Sequence, residues 1–129
     1  MPPSLHREDA DALIQRLGSE VVHDPFYVGE PWDQLVLVID LDQRTRMYGY
    51  VYTDDGWQAA SPDGVEALDT AVRLQQAMRE PDRAPWKKCL LTIDRMTAEI
   101  DVDFDYEGTR WVPDMADMER FALSLKPEK

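Results

Sequence analysis

The sequence predicts an α+β fold, in which an antiparallel sheet of two β-hairpins carries helices packed on one side, in the order α-β-β-α-β-β-α. Short segments with the apolar or alternating pattern of strands occur in two pairs, each joined by a short turn. Segments with helical spacing of apolar residues precede, separate and follow these pairs. The 129 residues, 43% hydrophobic and 31% charged, have the size and make-up of a single domain over residues 1–129.

The first element is a helix followed by an irregular segment. Ser4 can cap the helix, its apolar stripe reaches Leu17, and Gly18 stands where helices commonly end. Residues 21–31 include Pro25 and Pro31, so we expect a covering loop or a short edge strand there.

The first hairpin spans residues 32–53. Its first strand holds the apolar run 35–39, which is rich in β-branched residues and predicts a well-buried strand. A turn at 42–45 leads to a second strand that places Tyr48, Tyr50 and Tyr52 on one face, and residues 54–56 close it.

A second helix and a second hairpin follow. Asp63 is a suitable N-cap three residues before Glu66, and apolar residues continue at helical spacing toward Pro81. Strands at 86–94 and 99–107 then flank a four-residue connection, a common hairpin length. Symmetric pairing sets Ile93 opposite Ile100, Leu91 opposite Val102, Cys89 opposite Phe104 and Lys88 opposite Asp105.

A last helix begins at Pro113 and Asp114. Five of its residues are spaced to face inward: Met115, Met118, Phe121, Ala122 and Leu125.

Acidic residues alternate with apolar ones along the last strand. On a strand, Asp101, Asp103, Asp105 and Glu107 share one face at a spacing of about 7 Å. A calcium loop is excluded because Tyr106 stands where that loop needs glycine. Catalytic carboxylates normally converge from separate elements, whereas these follow one pleat. Two interpretations stay open, a docking face for a positively charged partner and a solvated outer face.

Composition narrows the function classes. The 26 acidic against 14 basic side chains give a net charge of -12, which argues against binding nucleic acid or anionic membrane and favours a basic partner. Cys89 is the sole cysteine, so neither a disulfide framework nor a cysteine-rich zinc site can form. The N-terminus lacks a signal-peptide pattern, and we expect a cytoplasmic monomer or weak dimer.

No pattern indicates an enzyme. His6 and His23 are isolated from any nucleophile motif, and no glycine-rich phosphate loop occurs. Cys89 fits a buried strand residue better than a nucleophile. We therefore expect no catalytic residues, no cofactor and no metal.

The second hairpin carries a family resemblance. Residues 85–94, which open with Pro85 and Trp86, and the acidic-aromatic strand at 100–107 resemble the YezG-like family of bacterial immunity proteins. The likeness covers roughly residues 32–107, and residues 108–129 depart from it. It implies an antitoxin that binds and neutralises the toxic domain of a cognate secreted polymorphic toxin, often a nuclease. The acidic row at Asp101, Asp103, Asp105 and Glu107 then becomes the candidate contact surface.

An alternative function lies on the first hairpin. Tyr48, Tyr50 and Tyr52 are also suited to line a small-ligand site in a non-catalytic accessory domain, although ordinary sheet packing is the favoured explanation for them. A pocket beside these rings would favour the ligand, and a filled sheet face would remove it.

Overall fold

Nine elements follow one another along the chain in the computed structural model, which describes residues 4–29, 31–42, 45–62 and 64–126. They are helix α1 (Ser4–Val22), helix α2 (Pro25–Val28), strands β1 (Gln34–Asp40), β2 (Arg46–Thr53) and β3 (Gly56–Ala59), helix α3 (Glu66–Ala77), strands β4 (Lys88–Asp94) and β5 (Glu99–Asp105), and helix α4 (Met118–Leu125).

The strands form a single antiparallel sheet in the order β3-β2-β1-β4-β5. Both hairpins predicted from the sequence are present, and the first strands of the two hairpins pair with each other at the centre of the sheet. The predicted α+β class is confirmed. Strand β3 extends the predicted order, because Asp54 and Asp55 form a two-residue hairpin turn and the chain then pairs with β2.

The central strand β1 is buried on both faces. Leu35, Leu37 and Ile39 point to the first face, where they pack with residues of α1 and α3. Val36 and Val38 point to the second face and pack with residues of α4. The prediction that all helices lie on one side was wrong for α4, because a strand that is apolar on both faces needs a covering layer on each.

The second hairpin has the predicted register. The pairs Ile93↔Ile100, Leu91↔Val102, Cys89↔Phe104 and Lys88↔Asp105 all occur. Strand β5 ends at Asp105, two residues earlier than predicted, because the chain turns away there.

Three other boundaries differ from the prediction. Helix α1 continues past Gly18 to Val22, and residues 25–28 form the short helix α2, capped by Asp24, rather than a loop or strand. Helix α4 begins only at Met118, with Asp117 as its N-cap, so Met115 lies before it and is 83% exposed. The proposed cap Asp63 and part of the 42–45 turn lie outside the described residues.

Gly18 is explained by packing rather than by helix termination. It lies in α1 against β5, and a Cβ placed there would collide with Ile100 Cδ1 and lie 3.0 Å from Ile100 Cγ1. Ile100 Cγ2 is also only 3.2 Å from that Cβ position, so a rotation that moves Cδ1 alone does not relieve the contact. The glycine therefore sets how closely α1 approaches the sheet.

We expect Gly18→Ala to lower the free energy of unfolding in urea by about 1–3 kcal/mol, because overpacking outweighs the better helix propensity of alanine. Gly29→Ala is the matched control, since its nearest neighbour to an added Cβ is 4.0 Å away. Adding Ile100→Val removes the colliding methyl, so the double variant should lose less than the two single losses added together. Strict additivity would contradict this account.

Candidate functional site

The acidic row divides into two pairs with different surroundings. Asp101 and Asp103 are exposed on the second face of β5, where Thr92 and Leu90 of β4 stand opposite them. Asp105 is only 4% exposed, and Glu107 lies beyond the end of the strand. The prediction of four carboxylates in one open row was therefore wrong for its second half.

Asp105 organises the turn that follows β5. Its carboxylate accepts hydrogen bonds from the backbone N–H of Glu107 at 3.1 Å and of Arg110 at 2.8 Å. Burial alone raises the pKa of Asp105, but the backbone N–H groups of Arg110, Glu107 and Gly108, together with the Lys88 ammonium, outweigh it and hold the pKa below its ordinary 3.8. Asp105 is thus ionised and engaged within the chain.

Lys88 fixes the same turn from the neighbouring strand. This residue is 5% exposed, and its Nζ donates to the Arg110 carbonyl at 2.9 Å. The turn needs left-handed backbone at Gly108 (φ 81°) and at Trp111 (φ 53°), a region that non-glycine residues rarely adopt. The buried lysine and Asp105 hold this unusual path at the end of the sheet.

The carboxylates of Asp101 and Asp103 are exposed to solvent, and Asp103 Oδ1 accepts a hydrogen bond from the backbone N–H of Phe104 at 2.9 Å. Asp103 Oδ2 lies 2.8 Å from Arg110 Nη2, but the two side chains are 58% and 50% exposed, so this ion pair contributes little to stability. Asp101 has no ion-pair or hydrogen-bonding partner for its side chain among the residues that the structure describes. We call the surface formed by Asp101, Asp103, Thr92 and Leu90 the acidic face.

The connection from β5 to α4 also exposes two apolar side chains, Val112 and Met115, at 59% and 83%. Trp111 is half-buried and lies under the Arg110 guanidinium, whose carbon is 4.3 Å from the ring centroid. Because Arg110 also contacts Asp103, the Trp111 ring lies near the acidic face.

The tyrosine face is filled. Phe121, Ala122 and Leu125 of α4 pack against Tyr50 and Tyr52, in one cluster with β1. Tyr52 donates its hydroxyl hydrogen bond to the Ala122 carbonyl at 2.5 Å. Tyr48, also packed against this cluster, donates to the Trp111 carbonyl at 2.6 Å. Burial raises the pKa of Tyr48 to about 12, with Arg46 opposing, so the hydroxyl stays a donor at neutral pH. These rings anchor α4 and the preceding connection, so the face that they share is filled. Tyr52 also borders an open pocket of about 370 Å³ at the end of the sheet, which Asp33, Asp54 and Asp94 line as well.

Two of the residues considered for chemistry have side chains that the structure describes. Cys89 is fully buried in β4, and burial raises the pKa of its thiol to about 12, which keeps it protonated. His23 is exposed near the end of α1 and contacts Ser19. Over the described ranges, no three His, Cys, Asp or Glu side chains converge as a metal site requires.

Sequence reasoning missed Arg110 and Trp111 as parts of this region. The predicted register already set Lys88 opposite Asp105, but nothing in the pattern shows that the chain doubles back to bring Arg110 above β5. Gly108 in an otherwise polar turn was the available signal.

Two general comparisons add to the geometry. Within the described residues, no helix combines the length and apolar character that a membrane span requires. Neither models of protein families nor curated proteins give a match to the chain.

We expect Asp105→Asn to lower the free energy of unfolding by about 1–3 kcal/mol at pH 7, because a charged acceptor of backbone hydrogen bonds is lost. The pKa of Asp105 is lower in the folded than in the unfolded chain, so its stabilisation is complete above the ordinary value of 3.8 and disappears as the pH falls through the folded pKa. The difference between variant and parent should therefore shrink below that pH in urea unfolding.

The matched control for this measurement is Asp103→Asn. Its ion pair with Arg110 and its single hydrogen bond from the Phe104 N–H are both exposed to solvent, so we expect a loss of less than about 1 kcal/mol. Equal losses for the two variants, or a loss at Asp105 that does not change with pH, would contradict the role given to Asp105.

Proposed function

We propose that this protein is an immunity protein that binds and neutralises the basic toxic domain of a cognate secreted toxin through its acidic face. The observation that carries the proposal is the open pair Asp101 and Asp103 on a sheet face that α4 covers elsewhere. The family resemblance of the second hairpin supplies the class of partner.

Electrostatics supports a basic partner. The chain carries a net charge of -12, and two of its carboxylates stand side by side on a rigid strand. Such a field attracts cationic surfaces over roughly a Debye length, about 8 Å at physiological salt, and accelerates their association. Neither Asp101 nor Asp103 supports the fold in the way that Asp105 does, so a partner can use both without disturbing the domain.

A nuclease is one toxin class that meets these requirements. Enzymes that grip phosphate backbones present Lys and Arg in their substrate clefts. An acidic surface that fills such a cleft prevents the substrate from binding and forms ion pairs with the same Lys and Arg side chains.

We expect a neighbouring gene to encode a large secreted protein with a variable C-terminal domain. Expression of that domain alone should stop growth, and co-expression of this protein should restore it. In purified form the two should bind, with a Kd that rises steeply with salt. Asp101→Asn with Asp103→Asn should raise the Kd about tenfold at low salt and flatten its salt dependence.

Asp55→Asn with Asp69→Asn is the matched control, because both residues are exposed, lie away from β5 and remove the same charge. This control should leave binding close to that of the parent. The docking surface is refuted if the two double variants bind alike, and failure of the protein to restore growth refutes the function itself.

A further inference from the structure

The outer edge of β5 has the geometry of a strand-binding site. Strand β5 closes one side of the sheet, is seven residues long, and pairs with β4 along its whole length without a bulge. The opposite edge, β3, has four residues. Edge strands expose unpaired backbone groups, and proteins usually cover, shorten or charge them.

The direction of the backbone groups follows from one hydrogen bond. Leu41 donates its N–H to the Lys87 carbonyl, and hydrogen-bonded pairs recur every second residue, so Cys89 turns its backbone groups toward β1. Leu90 therefore turns its groups toward β5, where it stands opposite Asp103. The backbone N–H and C=O groups of Asp103, and of every second residue from it along β5, therefore point toward β4.

The backbone groups of the remaining β5 residues point away from β4, toward the open edge of the sheet. The N–H and C=O groups of Ile100, Val102 and Phe104 point away from the sheet. Phe104 confirms this direction, because its N–H donates to Asp103 Oδ1 at 2.9 Å rather than to β4. In the part of the chain that the structure describes, no acceptor bonds the outward N–H of Ile100 or Val102.

The side chains of β5 indicate which kind of strand can be added at this edge. A strand added antiparallel, like all its neighbours, would set one set of side chains beside Asp101 and Asp103, about 5 Å away. The other set would lie beside the apolar residues Ile100 and Val102, which pack on the first face. Lys or Arg fits the first set, and apolar residues fit the second.

A second copy of this chain fits poorly. Antiparallel pairing of two β5 edges would set outward-bonding residues opposite each other, and would therefore oppose the carboxylates of one copy to those of the other. Like charges directly opposite destabilise a strand pair.

From this geometry we propose that β5 binds an extended segment of its partner as a sixth, antiparallel strand, and that the segment alternates Lys or Arg with apolar residues. Main-chain hydrogen bonds to the outward groups hold the segment, and Asp101 and Asp103 select its charge. The proposal rests on the proposed function only for the basic character of the partner.

Synthetic peptides as long as β5 test the added strand directly. The parent probe alternates lysine and valine. In an antiparallel strand its valines stand opposite the outward-bonding residues, so only the valine N–H groups point toward β5. N-methylation of every valine should weaken binding by about tenfold or more, whereas N-methylation of every lysine should leave it nearly unchanged. A peptide alternating glutamate and valine should not bind.

Amide hydrogen exchange, followed by NMR, gives a second readout on the full protein. The amides of Ile100 and Val102 should exchange fast in the free protein and become protected with the parent peptide. The matched reference is Trp57 of the other edge, whose amide should not change. Asp101→Lys should shift preference from the lysine peptide toward the glutamate peptide.

The inference is overturned if the parent peptide does not bind, if the two N-methylated peptides bind alike, or if binding leaves Ile100 and Val102 unprotected. Each of these results is compatible with toxin neutralisation, which would then use side chains alone. Conversely, the expected peptide pattern in a protein that fails to restore growth would remove the proposed function and leave the strand-binding edge.

Discussion

Burial of β1 on both faces is the constraint on which the rest of the structure depends. Its five consecutive apolar residues, 35–39, are all fully buried. Each such side chain contributes about 1.5–3 kcal/mol when it leaves water, so neither face of β1 can stay exposed. Helices α1 and α3, with Tyr27 of α2, cover one face, and α4 covers the other. Because α4 has only eight residues, it covers β1 and β2 and leaves the second face of β5 open.

The three tyrosines hold the short helix α4 on the sheet. An eight-residue helix is marginal on its own and depends on packing for its stability. Tyrosine offers a large apolar ring that can pack under the helix and a hydroxyl that can reach a carbonyl beyond it. Tyr52 bonds a carbonyl within α4, and Tyr48 bonds a carbonyl of the connection before it. The three tyrosines that were candidates for a ligand site thus hold α4 against the sheet.

Local pattern was sufficient for the second hairpin because two independent signals agree there. Apolar alternation fixes which residues face the core, and a four-residue connection fixes which residues stand opposite, so only one register satisfies both. The side of the sheet taken by α4 was not predictable in this way, since its sequence shows an apolar stripe but not the surface that receives it. Gly18 was misread for a similar reason: a helix-ending glycine and a close-packing glycine look alike until Ile100 is seen beside it.

The candidate site shows the same limit at the scale of single residues. The alternating pattern predicts that Asp101, Asp103 and Asp105 lie on one face of the strand. The structure confirms this prediction up to Asp105, the last residue of β5. The pattern could not distinguish the exposed pair from Asp105, because the difference lies in where the chain goes next. The turn after β5 brings N–H groups to Asp105 and an arginine to Asp103, and these contacts join residues up to seven positions apart in no regular period.

Acidic residues at the outer strand have two physical consequences that are usually considered separately. They oppose pairing between copies of the chain, which protects an exposed edge from association with itself. They also leave the outward N–H and C=O groups intact, whereas proline or a bulge would remove them. An edge strand that carries carboxylates can therefore still pair with a segment that carries basic side chains. In the complex that we propose, repulsion of an acidic segment and attraction of a basic one would come from the same two carboxylates, Asp101 and Asp103.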